Sequence, residues 1–283
     1  MPQPAKPLLN QRMELSLRAV IIRCLNEEGT VVSTASGFVR REEERLWLYT
    51  CWHVVTGYNP NDVRIRNELP DRVAIEIHMQ DAQGRQPGVQ VIGGLQTFTI
   101  PLYDTTTEPK TPVWHQDKRH VPNQDLNGIN IFVPFWHDAV KILLPEDTRV
   151  SDLQVVEGDN VFPGNTLLSV GDKVYVVGYP YGYSPVGGDQ PTPVVLTRFV
   201  AAVRIEDRHR EVLLDGFGAP CMSGGPVYVE RESQIMLLGL YTGLIFPDHQ
   251  SDGNDMVTAL GTCSNMCLHL WGALPFVRSP DEC

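Results

Sequence analysis

Short apolar runs, separated by glycine, proline, asparagine and aspartate, dominate the chain. This pattern predicts an all-β protein, either a sandwich or a barrel. Near the end, Cys267, Leu268, Leu270 and Trp271 follow a helical spacing, which predicts a helix around residues 264–270. About a dozen expected strands and one terminal helix suggest two packed antiparallel β-barrels, each of six strands, with a C-terminal helix.

The length of 283 residues suits one large β domain or two small ones. We expect a proline-rich flexible leader at 1–16, an N-terminal barrel at 17–150, and a C-terminal barrel with its helix at 151–283. The start has no apolar signal core, and no run of eighteen apolar residues exists, so neither secretion nor a membrane is expected. The six scattered cysteines fit reduced thiols, which suggests a cytoplasmic location.

The net charge of −11 comes from 23 basic and 34 acidic residues. A nucleic-acid-binding protein would need a basic face, so this function is not expected. Cys263, Cys267 and His269 resemble part of a metal site, but a structural zinc ion needs four ligands and no second pair stands nearby. The sequence therefore predicts no metal.

The most specific chemistry lies in two segments. Ser223 stands in Met-Ser-Gly-Gly-Pro, directly before an apolar run, and reads as a nucleophile on a tight turn that leads into a strand. His53 ends an apolar strand in the other half of the chain. A serine hydroxyl needs a base to accept its proton, and a histidine is suited to this near neutral pH. The amides of Cys221 and Ser223 are the expected oxyanion donors.

Four segments together resemble the chymotrypsin/trypsin-like serine protease superfamily, and most of all its bacterial members without secreted disulfides. They are residues 35–39 (Ala-Ser-Gly-Phe-Val), 48–55 (Leu-Tyr-Thr-Cys-Trp-His-Val-Val), 171–182 and 222–227. The resemblance covers roughly residues 17–272. It implies a double β-barrel endopeptidase that acts through a His-Asp-Ser triad and an acyl-enzyme. Its substrates would be proteins or peptides, a dedicated partner protein is compatible with this class, and no cofactor is expected.

The same resemblance implies a substrate pocket. The residue six positions before the serine lines the pocket base in this family, and here it is Phe217. The absence of an acid at that position argues against a preference for lysine or arginine, although Asp215 stands close enough to reach in. The pocket wall would include Tyr241, Thr242 and Gly243.

Two aspartates compete for the triad acid. Asp125 follows a Pro-Val-Trp segment and precedes an apolar run, although Asn127 and Gly128 are poor residues for a buried strand. Asp138 precedes Ala-Val-Lys-Ile, but one residue is missing relative to the family pattern, and a one-residue shift turns every later side chain to the other face. We therefore favour Asp125 as the acid, with Asp138 as the alternative.

Cys221 departs from the family, which normally has glycine two positions before the serine. A side chain restricts the backbone there, and a positive φ is uncommon outside glycine. Three interpretations follow: the oxyanion hole forms normally, it stays unformed until a gating event, or Cys221 is a redox-sensitive thiol. The second interpretation leads to the alternative function, a gated or inactive pseudoprotease that binds a peptide or partner.

Overall fold

The structure, a computed structural model, describes residues 8–58, 68–80, 92–116, 123–126, 129–132, 138–157, 160–163, 166–184, 191–206, 209–216, 218–245 and 264–269. In order, its strands are β1 (Val20–Leu25), β2 (Val31–Glu42), β3 (Arg45–Thr50), β4 (Arg72–Gln80), β5 (Ile92–Pro101), β6 (Tyr103–Asp104), β7 (Thr111–Pro112), β8 (Asn123–Leu126), β9 (Ile129–Phe132), β10 (Val140–Leu143), β11 (Val155–Val156), β12 (Lys173–Gly178), β13 (Val194–Glu206), β14 (His209–Leu214), β15 (Pro226–Arg231), β16 (Gln234–Ile245) and β17 (Ser264–His269). The helices are α1 (Leu8–Leu15) and α2 (Trp52–Thr56), and a 3₁₀ turn spans Pro180–Gly182.

The strands of the first half form one seven-stranded sheet. Its order is β10-β3-β2-β1-β4-β5, and β11 pairs with β2 in parallel. The other pairings in this sheet are antiparallel. Two small two-stranded sheets, β6-β7 and β8-β9, accompany it. Since β11 lies beyond residue 150 and yet joins this sheet, the expected domain boundary at 150/151 does not coincide with the edge of the sheet.

The second half forms a closed antiparallel barrel in the order β12-β13-β14-β17-β16-β15. Strand β17 closes it by pairing with β14 on one side and with β16 on the other. The all-β prediction is confirmed, but the predicted helix at 264–270 is wrong. Hydrogen bonds to two distant strands decide the conformation here, and a short apolar run does not distinguish a helix from a strand.

Strand β12 shows how the two halves pack together. Val174 and Val176 point into the core of the closed barrel, whereas Tyr175 and Val177 join a larger core that includes the first sheet. Because alternate side chains of a strand face opposite sides, both faces of β12 are buried. This double burial explains its unbroken apolar sequence and places the end of β12 beside the first sheet.

The predicted flexible leader contains a helix instead. In α1, Arg12 makes two hydrogen bonds to the Glu230 carboxylate, at 2.7 and 2.9 Å through its Nη2 atom. The Gln11 side chain accepts a hydrogen bond from the amide of Ile235 at 2.9 Å. These contacts hold α1 against β15 and β16, which explains why a polar segment is ordered there. Among the described residues, neither helix has the length or the apolar character needed to cross a bilayer.

Candidate active site

His53 lies on the single-turn helix α2, just after β3 ends. The other four residues of α2 are buried, so His53 is the residue of this helix that keeps part of its surface accessible. The helix ends at Gly57, whose left-handed backbone directs its amide to the His53 carbonyl at 3.0 Å. The fold therefore presents the imidazole at the surface of a well-packed core.

Asp138 holds His53 at two points. Its Oδ2 atom lies 2.6 Å from His53 Nδ1, and its Oδ1 atom accepts the backbone N–H of His53 at 2.9 Å. The register of β10 on β3 pairs Val140 with Thr50, which brings Asp138 opposite the start of α2. The carboxylate favours the tautomer with a proton on Nδ1, which leaves Nε2 as a proton acceptor.

This geometry replaces Asp125 with Asp138 as the carboxylate partner of the His53 ring. Asp138 lies two residues before β10 begins, in backbone outside the strand. The missing residue therefore precedes the strand and does not impose the change of face that weighed against Asp138. Asp125 belongs to β8, where it pairs with Asn130, and its side chain lies outside what the structure describes.

Ser223 lies in the loop between β14 and β15 of the barrel, and this loop presses against the first sheet. The amide of Ser36 on β2 donates to the Ser223 carbonyl at 3.0 Å. A Cβ atom at Gly224 would lie 2.3 Å from both the Ser36 carbonyl oxygen and Thr50 Oγ1. Gly224 also has a φ of +84°, so only glycine fits without strain. The contact with Thr50 brings the serine loop beside the strand that leads to His53.

The backbone amides of this loop divide into two groups. Those of Met222, Gly224 and Gly225 donate to backbone carbonyls, at 3.4, 2.7 and 2.9 Å. Those of Cys221 and Ser223 donate to no acceptor among the described residues. These two amides are the ones that the sequence predicted as oxyanion donors. An N–H group without an internal acceptor is available to a ligand.

Cys221 adopts a backbone conformation that favours glycine, with a φ of +69°. This left-handed geometry disfavours a residue with a side chain by about 1–2 kcal/mol. Carbonyls on both sides are held: the Tyr181 amide donates to Pro220 at 2.8 Å, and Ser36 Oγ donates to Cys221 at 2.7 Å. These bonds restrict the rotation that the gated interpretation requires.

The redox interpretation of Cys221 finds no electrostatic support. Burial raises the pKa of the Cys221 thiol, and a hydrogen bond from the Gly182 backbone offsets only part of this effect. A reactive cysteine instead has a lowered pKa, because the thiolate is the nucleophile.

The residues expected to line the substrate pocket differ in how deeply they are buried. The Tyr241 side chain is buried in the barrel core, and its carbonyl accepts the Gly224 amide. Thr242 is also buried, whereas a Cβ atom at Gly243 would meet nothing within 4 Å. Phe217 lies outside the described residues. Asp215 Oδ1 accepts the Phe199 amide at 2.7 Å, so that carboxylate oxygen is used on the barrel surface.

A third side chain with a metal-ligating atom lies beside the His53–Asp138 pair. Potential ligand atoms of Cys51, His53 and Asp138 all lie within 4.8 Å of one another. However, Asp138 Oδ2 and His53 Nδ1 are in direct hydrogen-bond contact, and the buried Cys51 thiol donates to the Tyr241 carbonyl at 3.3 Å. Hydrogen bonds therefore account for this cluster.

The fold and the site define the class: an all-β protein in which the first sheet supplies a histidine–carboxylate pair and a closed barrel supplies a serine loop. This arrangement of strands agrees with the all-β fold expected from the sequence. No family model matches the sequence, and no curated protein does.

Among solved structures, the chain is similar to the serine endoprotease from Yersinia pestis, with a TM-score of 0.49 and 13% identity. That match covers 95% of this chain, which spans only 64% of the Yersinia chain. The chain is also similar to the active form of the Rv3671c protease from M. tuberculosis, with a TM-score of 0.45 and 14% identity. This second match covers 99% of this chain and 92% of the other. Neither match assigns an activity to this chain.

Proposed function

We propose that the protein is a serine endopeptidase, with Ser223 as nucleophile, His53 as general base and Asp138 as the acid that orients the imidazole. The observation that carries the proposal is the two-point contact of the Asp138 carboxylate with Nδ1 and the amide of His53. One carboxylate thereby fixes both the position and the tautomer of the ring.

In the proposed reaction, His53 Nε2 takes the proton of the Ser223 hydroxyl as Oγ attacks the scissile carbonyl carbon. The carbonyl oxygen becomes an oxyanion that accepts the amides of Cys221 and Ser223. The protonated imidazole then gives its proton to the leaving amine, and an acyl-enzyme remains. Water attacks the acyl-enzyme with the same base, which releases the carboxylic acid and restores Ser223. The proposed chemistry needs no cofactor.

The substrate is proposed to be a protein or peptide, with Phe217, Thr242 and Gly243 near the side chain that precedes the cut. A preference other than lysine or arginine is part of the proposal, because Phe217 brings no acid and Asp215 is engaged on the barrel surface. A cytoplasmic location belongs to the same proposal and rests on the scattered cysteines.

A diverse peptide library, read by mass spectrometry, tests the function. We expect internal cleavage by the native protein and none after Ser223→Ala or His53→Ala. Ser233→Ala, a substitution in the exposed turn between β15 and β16, is the matched control and should cleave like the native protein. Peptides that are retained by the folded protein but stay intact would instead support the alternative, a pseudoprotease that binds peptides.

A further inference from the structure

We propose that Ser36 is a positioning residue for the oxyanion hole, a role that rests on the proposed function. Ser36 lies on β2 of the first sheet and is completely buried. Beyond strand pairing, it makes four hydrogen bonds, two through its hydroxyl and two through its backbone. Three of them reach elements of the second half, and two of these hold carbonyls of the serine loop.

The hydroxyl of Ser36 has a defined direction. It accepts the amide of Tyr179 at 3.0 Å and lies 2.7 Å from the Cys221 carbonyl oxygen. Because a hydroxyl has one proton and the Tyr179 amide can only donate, that proton points to the Cys221 carbonyl. The backbone amide of Ser36 holds the Ser223 carbonyl at 3.0 Å. One residue thus fixes two peptide groups of the loop that contains the nucleophile.

The contact with Cys221 matters because that residue is strained. The peptide group before Cys221 is held through the Pro220 carbonyl, and the peptide group after it is held by the Ser36 hydroxyl. The φ of +69° sets the angle between these two peptide groups. A cysteine released from the second contact would relax toward a negative φ. That rotation would change the angle between the amides of Cys221 and Ser223, the two proposed oxyanion donors. In this chain the Ser36 hydroxyl therefore compensates for the absence of glycine at position 221.

Gly178 provides independent support. It ends β12 of the barrel, and a Cβ atom there would lie 2.7 Å from Ser36 Oγ and 3.1 Å from Met222 Sδ. The barrel thus leaves the space that the Ser36 hydroxyl occupies. A side chain at position 178 would displace the hydroxyl without removing it.

A double-mutant cycle tests the role. The substitution Ser36→Ala is introduced into the native protein and into the Cys221→Gly variant. For each protein we would measure kcat, KM and the affinity for a peptidyl aldehyde, which forms a tetrahedral adduct on Ser223. In the native protein we expect kcat and aldehyde affinity to fall together, by about 10- to 100-fold, with KM nearly unchanged. In the Cys221→Gly background the same substitution should change kcat by less than about 3-fold, since glycine adopts a positive φ freely.

A purely structural role would produce a different pattern. Gln154→Met, the matched control, removes another buried hydrogen bond, from the His78 amide to Gln154 Oε1 at 2.8 Å. It should lower the melting temperature but leave kcat and aldehyde affinity unchanged. Should Ser36→Ala not fold, Gly178→Ala provides the second variant, with the same expected loss of aldehyde affinity.

Two outcomes would overturn the proposal separately from the function. An equal loss of kcat in both backgrounds, or no loss in an active enzyme, would refute the role of Ser36 and leave the protease assignment intact. A native protein that neither hydrolyses peptides nor binds the aldehyde would refute the proposed function, and the role of Ser36 with it.

Discussion

Replacing Asp138 by asparagine changes one proton-accepting group in the site while keeping the shape of the side chain. In the native geometry Oδ1 accepts the His53 backbone N–H and Oδ2 faces Nδ1. The backbone N–H can only donate, so the amide oxygen of the asparagine must take the place of Oδ1. Its NH₂ group then faces Nδ1 and requires that nitrogen to be unprotonated. The proton moves to Nε2, which can no longer accept the Ser223 proton.

The expected magnitude follows from this tautomer change. Holding the imidazole in the wrong tautomer lowers kcat by about 10⁴-fold, which corresponds to about 5 kcal/mol of transition-state stabilisation. KM should stay nearly constant, because substrate binding does not use Nε2. Since asparagine can replace both hydrogen bonds, the free energy of unfolding should change by less than about 2 kcal/mol.

The rate constant for labelling by a fluorophosphonate is a suitable assay, because it needs no knowledge of the peptide substrate. Asp125→Asn is the matched control and should label at a rate close to that of the native protein. A large loss of rate in Asp125→Asn, together with full reactivity in Asp138→Asn, would refute the assignment of Asp138.

Three further predictions concern the fold around the site. In urea titrations, Gly29→Ala should lower the free energy of unfolding by roughly 1 kcal/mol, and Gly224→Ala should lower it by well over that amount. Both glycines have a positive φ, but only at Gly224 would a Cβ atom lie 2.3 Å from neighbouring atoms. Equal effects of the two substitutions would contradict the close packing at Gly224. Burial tends to raise the pKa of Glu42, but hydrogen bonds, above all from Lys141, lower that pKa overall in the folded protein. The ionised Glu42 therefore stabilises the folded protein above its ordinary pKa, and this stabilisation is lost as the pH falls through the lowered folded pKa. Glu42→Gln should therefore destabilise the protein by about 2 kcal/mol near pH 7 and progressively less in acid, and a pH-independent difference in urea titrations would refute this. Burial raises the pKa of Cys24 to about 11, so peptide mapping after alkylation at pH 8 should find it unmodified unless the protein is unfolded, whereas rapid native labelling would contradict its burial.

The site residues that the sequence singles out depend on local signals. A few adjacent residues are enough to recognise the position of His53 after an apolar strand and the glycines after Ser223. The structure brings the segments that carry them together through the contacts of the serine loop with Ser36 and Thr50. Their catalytic roles remain the proposal.

The errors arise where distant contacts decide the structure. The sequence favours Asp125 over Asp138 because the missing residue is expected inside a strand, whereas it falls before β10. The segment 264–269 became a strand because β14 and β16 pair with it from both sides. The ordered α1 depends in the same way on its contact with Glu230, far along the chain.

Cys221 and Ser36 show a further limit of the sequence. The sequence shows that a cysteine at position 221 is unusual, but its φ of +69° is a property of the assembled loop. The segment with Ser36 contributed to the family resemblance, but nothing local indicates that its hydroxyl reaches residue 221, 185 positions away. Such contacts become visible only once the two halves are packed together.

Mass spectrometric mapping of a fluorophosphonate adduct is the most direct test of the proposed mechanism. We expect one adduct per chain, located on Ser223, which is absent after Ser223→Ala and strongly reduced after His53→Ala. No adduct on the folded native protein, or an adduct that persists after Ser223→Ala, would contradict it.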